Sequence, residues 1–369
     1  MKRIRKTTLY SLLFISIFVA TIIVLARVTS LQPPLQMEKD VVCPANAPVL
    51  QKGSKIKVLN WNVQFLAGKN YVFFYSGGPD ERPSREDIEK TSKEIARVIL
   101  AEKPDIILLQ EVDDGAKRTD YEDQLLKILK LLPAEYACYA SAFYWKNAFN
   151  PHPKILGSTG MKVSTISKYK ISKAIRYQLP IIPDNFFVKN FNLKRAVLQT
   201  KLPVEEGDEL VVMNTHLDAF AQGYDTMQQQ IDYLDAMLGK LQTQNKHWFL
   251  GGDFNLLPPG FPLTKLNAES RSFYNKETEI TKLFAKYTSV VTLQDLQGEK
   301  QASFYTHLSN KFKTPAPSKP IDYIFYGNLQ KGDYYVRSAD TLKISDHMPL
   351  LVNFTVGKNS EEPASVPTK

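Results

Sequence analysis

Cysteine is nearly absent from this 369-residue chain, which has only Cys43 and Cys138. Two thiols make neither a disulfide framework nor the thiolate cluster of a structural zinc site. They leave open one bridge, if the protein is exported, or two free thiols. Acidic excess is missing as well: 47 Lys and Arg face 38 Asp and Glu, a formal charge of +9. The first thirty residues hold Lys2, Arg3, Arg5, Lys6 and Arg27 and no acid, and without those five the balance is 42 against 38, or +4. That remainder argues only weakly for a polyanionic partner. No repeat and no break in composition divides the middle of the chain. With 43% hydrophobic residues, it can bury a substantial core as one large sheet-based domain.

Long apolar runs are equally scarce, and one stands out. Residues 9–28 read LYSLLFISIFVATIIVLARV, uncharged until Arg27. As a helix rising 1.5 Å per residue, the run nearly spans roughly 30 Å of hydrocarbon. Basic residues before it and few after it predict a cytoplasmic N-terminus with the body of the protein across the membrane. Val24-Leu25-Ala26 also offers a signal-peptidase site, in which case the domain is secreted. The run exceeds the usual 7–15-residue signal core, which favours a transmembrane signal-anchor over 1–29. Residues 30–54, rich in Pro and polar side chains, read as a linker. The polar tail, 357–369, reads as disordered. The domain is therefore expected over 55–356.

Within it, nearly continuous apolar runs at 56–63, 105–111, 210–216, 247–253, 321–326 and 350–356 read as strands covered on both faces. Helices intervene. Ser84 followed by Asp87 predicts an N-cap for a helix to about Ala101. A second is expected over 121–132. Met227, Ile231, Leu234, Leu238 and Leu241 form the apolar stripe of a third. Stacked sheets with helices outside make an α/β sandwich.

Several of these strands end on chemistry-bearing residues. Asn60-Trp61-Asn62 closes the first with two amides on one face. Glu111 emerges from the second, where a carboxylate is costly unless paired or metal-bound. His216 follows Val211-Val212-Met213-Asn214-Thr215, and Asp253 and Asn255 sit in Gly251-Gly252-Asp253-Phe254-Asn255. Asp322 lies within a hydrophobic strand, and Ser345-Asp346-His347 enters the last. Taken singly, Asn62 is an ordinary turn former and His216 an ordinary structural imidazole.

Together and in this order, the six segments resemble the endonuclease/exonuclease/phosphatase superfamily, which includes deoxyribonuclease I, neutral sphingomyelinases and inositol-polyphosphate 5-phosphatases. The resemblance runs from about Val58 to Val356. It implies a four-layer sandwich: two stacked, mostly antiparallel β-sheets flanked by helices, with the site where strand ends converge. It also implies roles. Glu111 would bind Mg²⁺, with Mn²⁺ as a substitute, and Asn62 and Asp346 would lie close to the metal or its waters. Asp253 would orient or deprotonate the attacking water, and Asn255 would hold a phosphate oxygen. His347, steered by Asp322, and His216 would stabilise phosphoryl charge or protonate the leaving group. Mg²⁺ suits this set because it prefers hard oxygen ligands and few protein carboxylates.

His216 sets the chain apart from the abasic-site endonuclease branch, which carries Asn there. An anchored, exported domain would meet lipid headgroups, favouring a sphingomyelinase-like lipid or headgroup phosphodiesterase as substrate class. A secreted or anchored nuclease is the alternative, with Lys162, Lys168, Lys170, Lys173 and Arg176 as a basic stripe for nucleic acid. A phosphomonoesterase and a silent binding module rank below both. The aromatic segment 70–74 (NYVFF), with Tyr75 after it, is expected either beside the site or in the core.

Overall fold

The computed structural model of the protein describes residues 2–219, 223–311 and 315–357. In chain order the strands are β1 (Gln36–Lys39), β2 (Val41–Val42), β3 (Lys55–Asn62), β4 (Ile106–Asp113), β5 (Cys138–Asn150), β6 (Gly157–Ser167) and β7 (Lys173–Gln178). They continue with β8 (Ala196–Val204), β9 (Asp208–His216), β10 (His247–Asp253), β11 (Thr288–Ser289), β12 (Asp322–Gly327), β13 (Leu329–Val336) and β14 (Leu350–Val356). They form two seven-stranded sheets, ordered β13-β14-β3-β4-β6-β5-β2 and β1-β7-β8-β9-β10-β12-β11. Each sheet has one parallel pairing, β3 with β4 and β9 with β10, and the other neighbours are antiparallel.

A parallel pair needs a crossover, and both crossovers are helices of 18 residues. Beyond α1 (Lys2–Val28), α2 (Arg85–Glu102) joins β3 to β4. After the short α3 (Gln124–Leu129) and α4 (Phe186–Phe191), α5 (Thr226–Thr243) joins β9 to β10. The Ser84 hydroxyl caps α2 by accepting from the Asp87 amide, and Glu86 and Asp87 complement the helix dipole in the first turn. The second expected helix is shorter than its apolar pattern, because Asp123 caps the chain only at that point.

Burial on both faces explains the continuous apolar strands. Leu59, Trp61, Ile107 and Leu109 face Ile88, Ile95, Val98 and Ile99 of α2. The alternate residues Val58, Ile106 and Leu108 face the other sheet, in one core with Val211, Met213, Leu250 and Ile324. The sheets approach closely at Gly251, where a β-carbon would lie 2.6 Å from Leu108 Cδ1. Amides close the interlayer beneath the site: Gln110 donates to Asn60 Oδ1 at 2.9 Å and to Asn214 Oδ1 at 2.8 Å.

Within the segment expected as a linker, 30–54, residues 36–39 and 41–42 are strands of the two sheets. β1 pairs with β7, β2 pairs with β5, and Leu50 is fully buried. Its extended, Pro-interrupted residues suit edge strands, where missing donors cost nothing. Cys43 lies there, bonded to Cys138 at the start of β5. Within α1, 8–28 is long and apolar enough to cross a membrane, and its large apolar side chains are exposed. Residues 358–369, most of the expected disordered tail, lie outside the described residues.

Candidate functional site

The parallel pairs place four of the expected residues at carboxyl ends of neighbouring strands, where open α/β sheets leave a crevice. Asn62 ends β3, His216 ends β9 and Asp253 ends β10, while Glu111 lies two residues before the end of β4. A bulge between Leu109 and Val112 breaks the β4–β6 register, and Glu111 adopts φ 56° there. That kink aims its carboxylate sideways into the crevice. Directly after Asn62 the chain turns through Gln64, Phe65 and Leu66, all at positive φ, with the Gln64 amide donating to Asn62 Oδ1 at 3.0 Å.

One carboxylate oxygen organises the centre. Asp253 Oδ2 accepts from Asn62 Nδ2 at 3.0 Å and lies 3.5 Å from both His216 Nε2 and His347 Nε2. Asn62 Nδ2 also reaches Glu111 Oε1 at 3.1 Å. Behind one imidazole, His347 Nδ1 meets Asp322 Oδ2 at 2.8 Å; behind the other, the Tyr144 hydroxyl lies 3.2 Å from His216 Nδ1. The Asn255 amide donates to Asp253 Oδ1 at 2.9 Å, and Asn255 itself sits at φ 52°, which Asn tolerates. Asp346 completes the group, with an oxygen within 4.8 Å of ligating nitrogens of His307 and His347. All eight expected residues are thus in one place.

Environment separates the two histidines. Burial, the Arg195 guanidinium and His347 push His216 well below its ordinary value, so it is a neutral imidazole. Burial also acts against the His347 cation, but Asp322 and Asp253 outweigh it and raise the group to about 10. Burial raises the Asp253 carboxyl, with His347 opposing and Asp322 reinforcing. Burial and then Asp346 raise Glu111. Crowded, partly and fully buried acids of this kind favour a cation between them, and their oxygen donors fit a hard divalent ion better than a soft one. One oxygen of buried Asp322 also lacks a hydrogen-bond partner.

Some residues escaped the sequence reading. His307 packs its ring edge-on to His347, with centroids 4.9 Å apart. Buried Arg195 pairs with Asp218 at 3.1 Å and lies over Tyr144 at 5.0 Å. Lys69 donates to the Leu308 carbonyl near Asp346. None lies in a periodic apolar run, and for His307 the only sequence signal is the rarity of histidine, five in all.

The aromatic segment divides its residues. Phe73 packs in the core with Phe65, while Phe74 and the half-exposed Tyr75 line a pocket of about 140 Å³ with Trp145 and Ile155. Tyr75 also lines the cleft beside Asn255, so it forms the wall between the two. The basic stripe does not form a groove. Lys162 is 3% exposed and held by Asp114 and Asp123, and Arg176 is 1% exposed and donates to the carbonyls of Phe143 and Lys194. Lys168 pairs with Glu135, and Lys173 with Glu38. Lys162 lies in β6 of one sheet, Lys173 and Arg176 in β7 of the other, and Lys168 and Lys170 in the loop between them.

Comparison with known proteins agrees with this fold. Residues 59–347 match the model of the Endonuclease/Exonuclease/phosphatase family. A UPF0294 protein of Photorhabdus laumondii is 26% identical over 162 residues, 44% of this chain and 49% of that protein, so the chain spans about half of that relative's length. An endonuclease/exonuclease/phosphatase structure from Beutenbergia cavernae superposes with a TM-score of 0.54 at 18% identity, over 82% of this chain and 72% of the other. One from Bacteroides vulgatus gives 0.51 at 15% identity, over 82% and 99%. The human Nocturnin catalytic domain with bound sulfate gives 0.50 at 20% identity, over 86% and 97%.

Proposed function

The chain belongs to the endonuclease/exonuclease/phosphatase family, whose members are metal-dependent phosphoester hydrolases, and from that premise we propose a Mg²⁺-dependent phosphodiesterase acting on headgroups at a membrane surface. The observation that carries the chemistry is the single Asp253 oxygen faced by His216 and His347, each at 3.5 Å. Asp253, with its carboxyl raised by burial, is suited to orient a water and take its proton. His347, held as a cation by Asp322, stabilises charge building on phosphoryl oxygens. Neutral His216 donates from Nε2 when the Tyr144 hydroxyl donates to its Nδ1, and Asn255 offers a further donor. Glu111 and Asp346 would hold the divalent ion, and Asn62 would orient Glu111. Bound there, the ion would polarise the phosphoryl oxygen and acidify water.

Two features support the membrane setting. The Cys43–Cys138 bridge suits an oxidising compartment, and the exposed apolar helix α1 precedes the domain. The end of α1 is tied to β5, where the Leu31 amide donates to the Lys146 carbonyl and the Ala148 amide to the Thr29 carbonyl. Next to those residues, Trp145 lines the aromatic pocket beside Tyr75. A pocket close to the tether that joins aromatic side chains to Arg82, Lys117, Arg118 and Lys154 suits an anionic headgroup still seated in the bilayer.

The test is a panel of sphingomyelin, anionic phospholipids, DNA, RNA and inositol phosphates, with Mg²⁺ or EDTA. Lipid or headgroup hydrolysis is expected with Mg²⁺, falling at least about 100-fold with EDTA and in Asp253→Ala, as for loss of an acid–base group. Undiminished turnover in either case would sink the mechanism, and exclusive cleavage of DNA or RNA would replace the substrate class. N-terminal sequencing of mature protein tests the tether: a chain beginning at Arg27 would mean cleavage.

A further inference from the structure

Beyond the eight residues, a row of basic side chains leads away from His347. Residue 307 bridges antiparallel to both Lys319 and His347, putting three short segments side by side. The His307 amide donates to the Lys319 carbonyl at 3.0 Å, and on the other side the Met348 amide donates to the Thr306 carbonyl at 2.7 Å. Residues directly opposite across such bridges carry their side chains on one face. The edge-on His307 and His347 rings bear this out on one side. On the other, Lys319 and His307 line the same cleft of about 220 Å³ with Tyr75, Asn255 and Tyr274. Strand spacing of roughly 4.8 Å puts Lys319 two steps, or about 10 Å, from the catalytic imidazole.

Two groups in this row lack the partners that burial demands. Lys319 is 8% exposed, yet no carboxylate among the described residues comes within ion-pair distance of it. Its ammonium instead lies 4.9 Å from the centre of the Tyr274 ring. His307 Nδ1 is buried with no hydrogen-bond partner. A buried ammonium without a counter-charge is expensive and is tolerated where an anion arrives to share the cost. Burial lowers Lys319 to about 8, with Asp253 and Asp346 opposing only in part.

We propose that Lys319 and His307 form a subsite for a second anionic group of the substrate, adjoining the phosphate held at His347. The inference rests on the phosphohydrolase reading and deepens it: the substrate carries a further phosphoryl group beside the scissile one. A zwitterionic choline headgroup does not satisfy this subsite. The second phosphate can come from a phosphorylated headgroup or from the next link of a polynucleotide, and the two arms of the test separate these sources.

In one arm, KM is measured with Mg²⁺ for glycerophosphoinositol with and without a further ring phosphate. In the other, it is measured for a thymidine dinucleotide with and without a 5′-phosphate. The full chain is expected to prefer the extra phosphate by about tenfold or more in KM in at least one arm, which identifies the source. Lys319→Gln should reduce that preference to less than about threefold, with kcat changed much less than KM, while Lys319→Arg should retain it. As a second readout, calorimetry of the metal-free chain should show inorganic pyrophosphate binding more tightly than inorganic phosphate, a difference lost in Lys319→Gln. A preference unchanged by Lys319→Gln, or absent from both arms and from calorimetry, overturns the subsite. If no ester is hydrolysed at all, the phosphohydrolase reading falls, and calorimetry still decides the subsite. If Lys319→Gln does not fold, the Lys319→Arg chain and the pyrophosphate-to-phosphate ratio of the unaltered chain decide it.

Discussion

At the scale of single residues, the two imidazoles near Asp253 are set in opposite charge states by what lies behind them. His347 has Asp322 at 2.8 Å, whereas His216 has a phenol and, beyond it, a guanidinium. Imidazole NMR of the metal-free protein should therefore find His347 doubly protonated at pH 7.5 and His216 neutral. With only five histidines, the signals can be assigned by single substitutions. A His347 resonance titrating near its ordinary value would refute the pairing. The linkage follows from the direction of each shift. His347, raised to about 10, contributes stability that is complete below its unfolded value near 6.5 and is lost as pH rises through 10. His216, lowered, does the opposite: it must charge on unfolding in acid, so its contribution is lost as pH falls below 6.5.

At the scale of elements, Gly252 and Gly239 make a matched pair. A β-carbon on Gly252 in β10 would lie 2.1 Å from the Thr215 carbonyl oxygen of the neighbouring parallel strand, a contact that backbone cannot relieve. Gly252→Ala should cost at least about 3 kcal/mol or prevent folding, in the range of severe overpacking. Gly239, within α5, meets only the Tyr287 hydroxyl at 3.4 Å. Gly239→Ala should stabilise by about 0.5–1 kcal/mol through helix propensity. Urea unfolding of both variants checks the contrast, and equal effects would contradict the register of β9 on β10.

Elements also show what the sequence could and could not disclose. The six apolar runs became β3, β4, β9, β10, β12 and β14, because strands covered on both faces leave an uninterrupted apolar record. By contrast β5 alternates buried and half-buried residues, and β6 carries Gly, Lys, Ser and Thr. Neither composition separates a strand from a loop. The eight candidate residues could be singled out because each stands in or beside a strand with a recognisable motif. His307 and Lys319 were not, since they meet only through an isolated bridge between segments that carry no pattern of their own. The edge strand β1 stayed hidden in the supposed linker because its pairing with β7 comes from tertiary context.

At the scale of the whole molecule, the Cys43–Cys138 bridge closes a loop with a sequence separation of 95 residues and pins the segment leaving α1 to the outer strand β5. Cys43→Ser with Cys138→Ser should lower unfolding free energy by about 2–4 kcal/mol. Thermal melts with and without reductant would measure it; a change below about 0.5 kcal/mol would mean that the sheet edge holds without the bond.

The stacking of the sheets carries one more consequence. Glu111 and Asn62 come from one sheet, and His216 and Asp253 from the other, so neither layer alone holds the whole centre. On the proposed mechanism, activity is therefore an all-or-none readout of assembly. Loss of turnover in denaturant should share its midpoint with loss of the global fold, without an active intermediate. A nascent or threading chain would be inert until both layers close. Under the membrane setting proposed above, that delay would be protection: phosphoesters on the side of synthesis would meet only an unassembled enzyme.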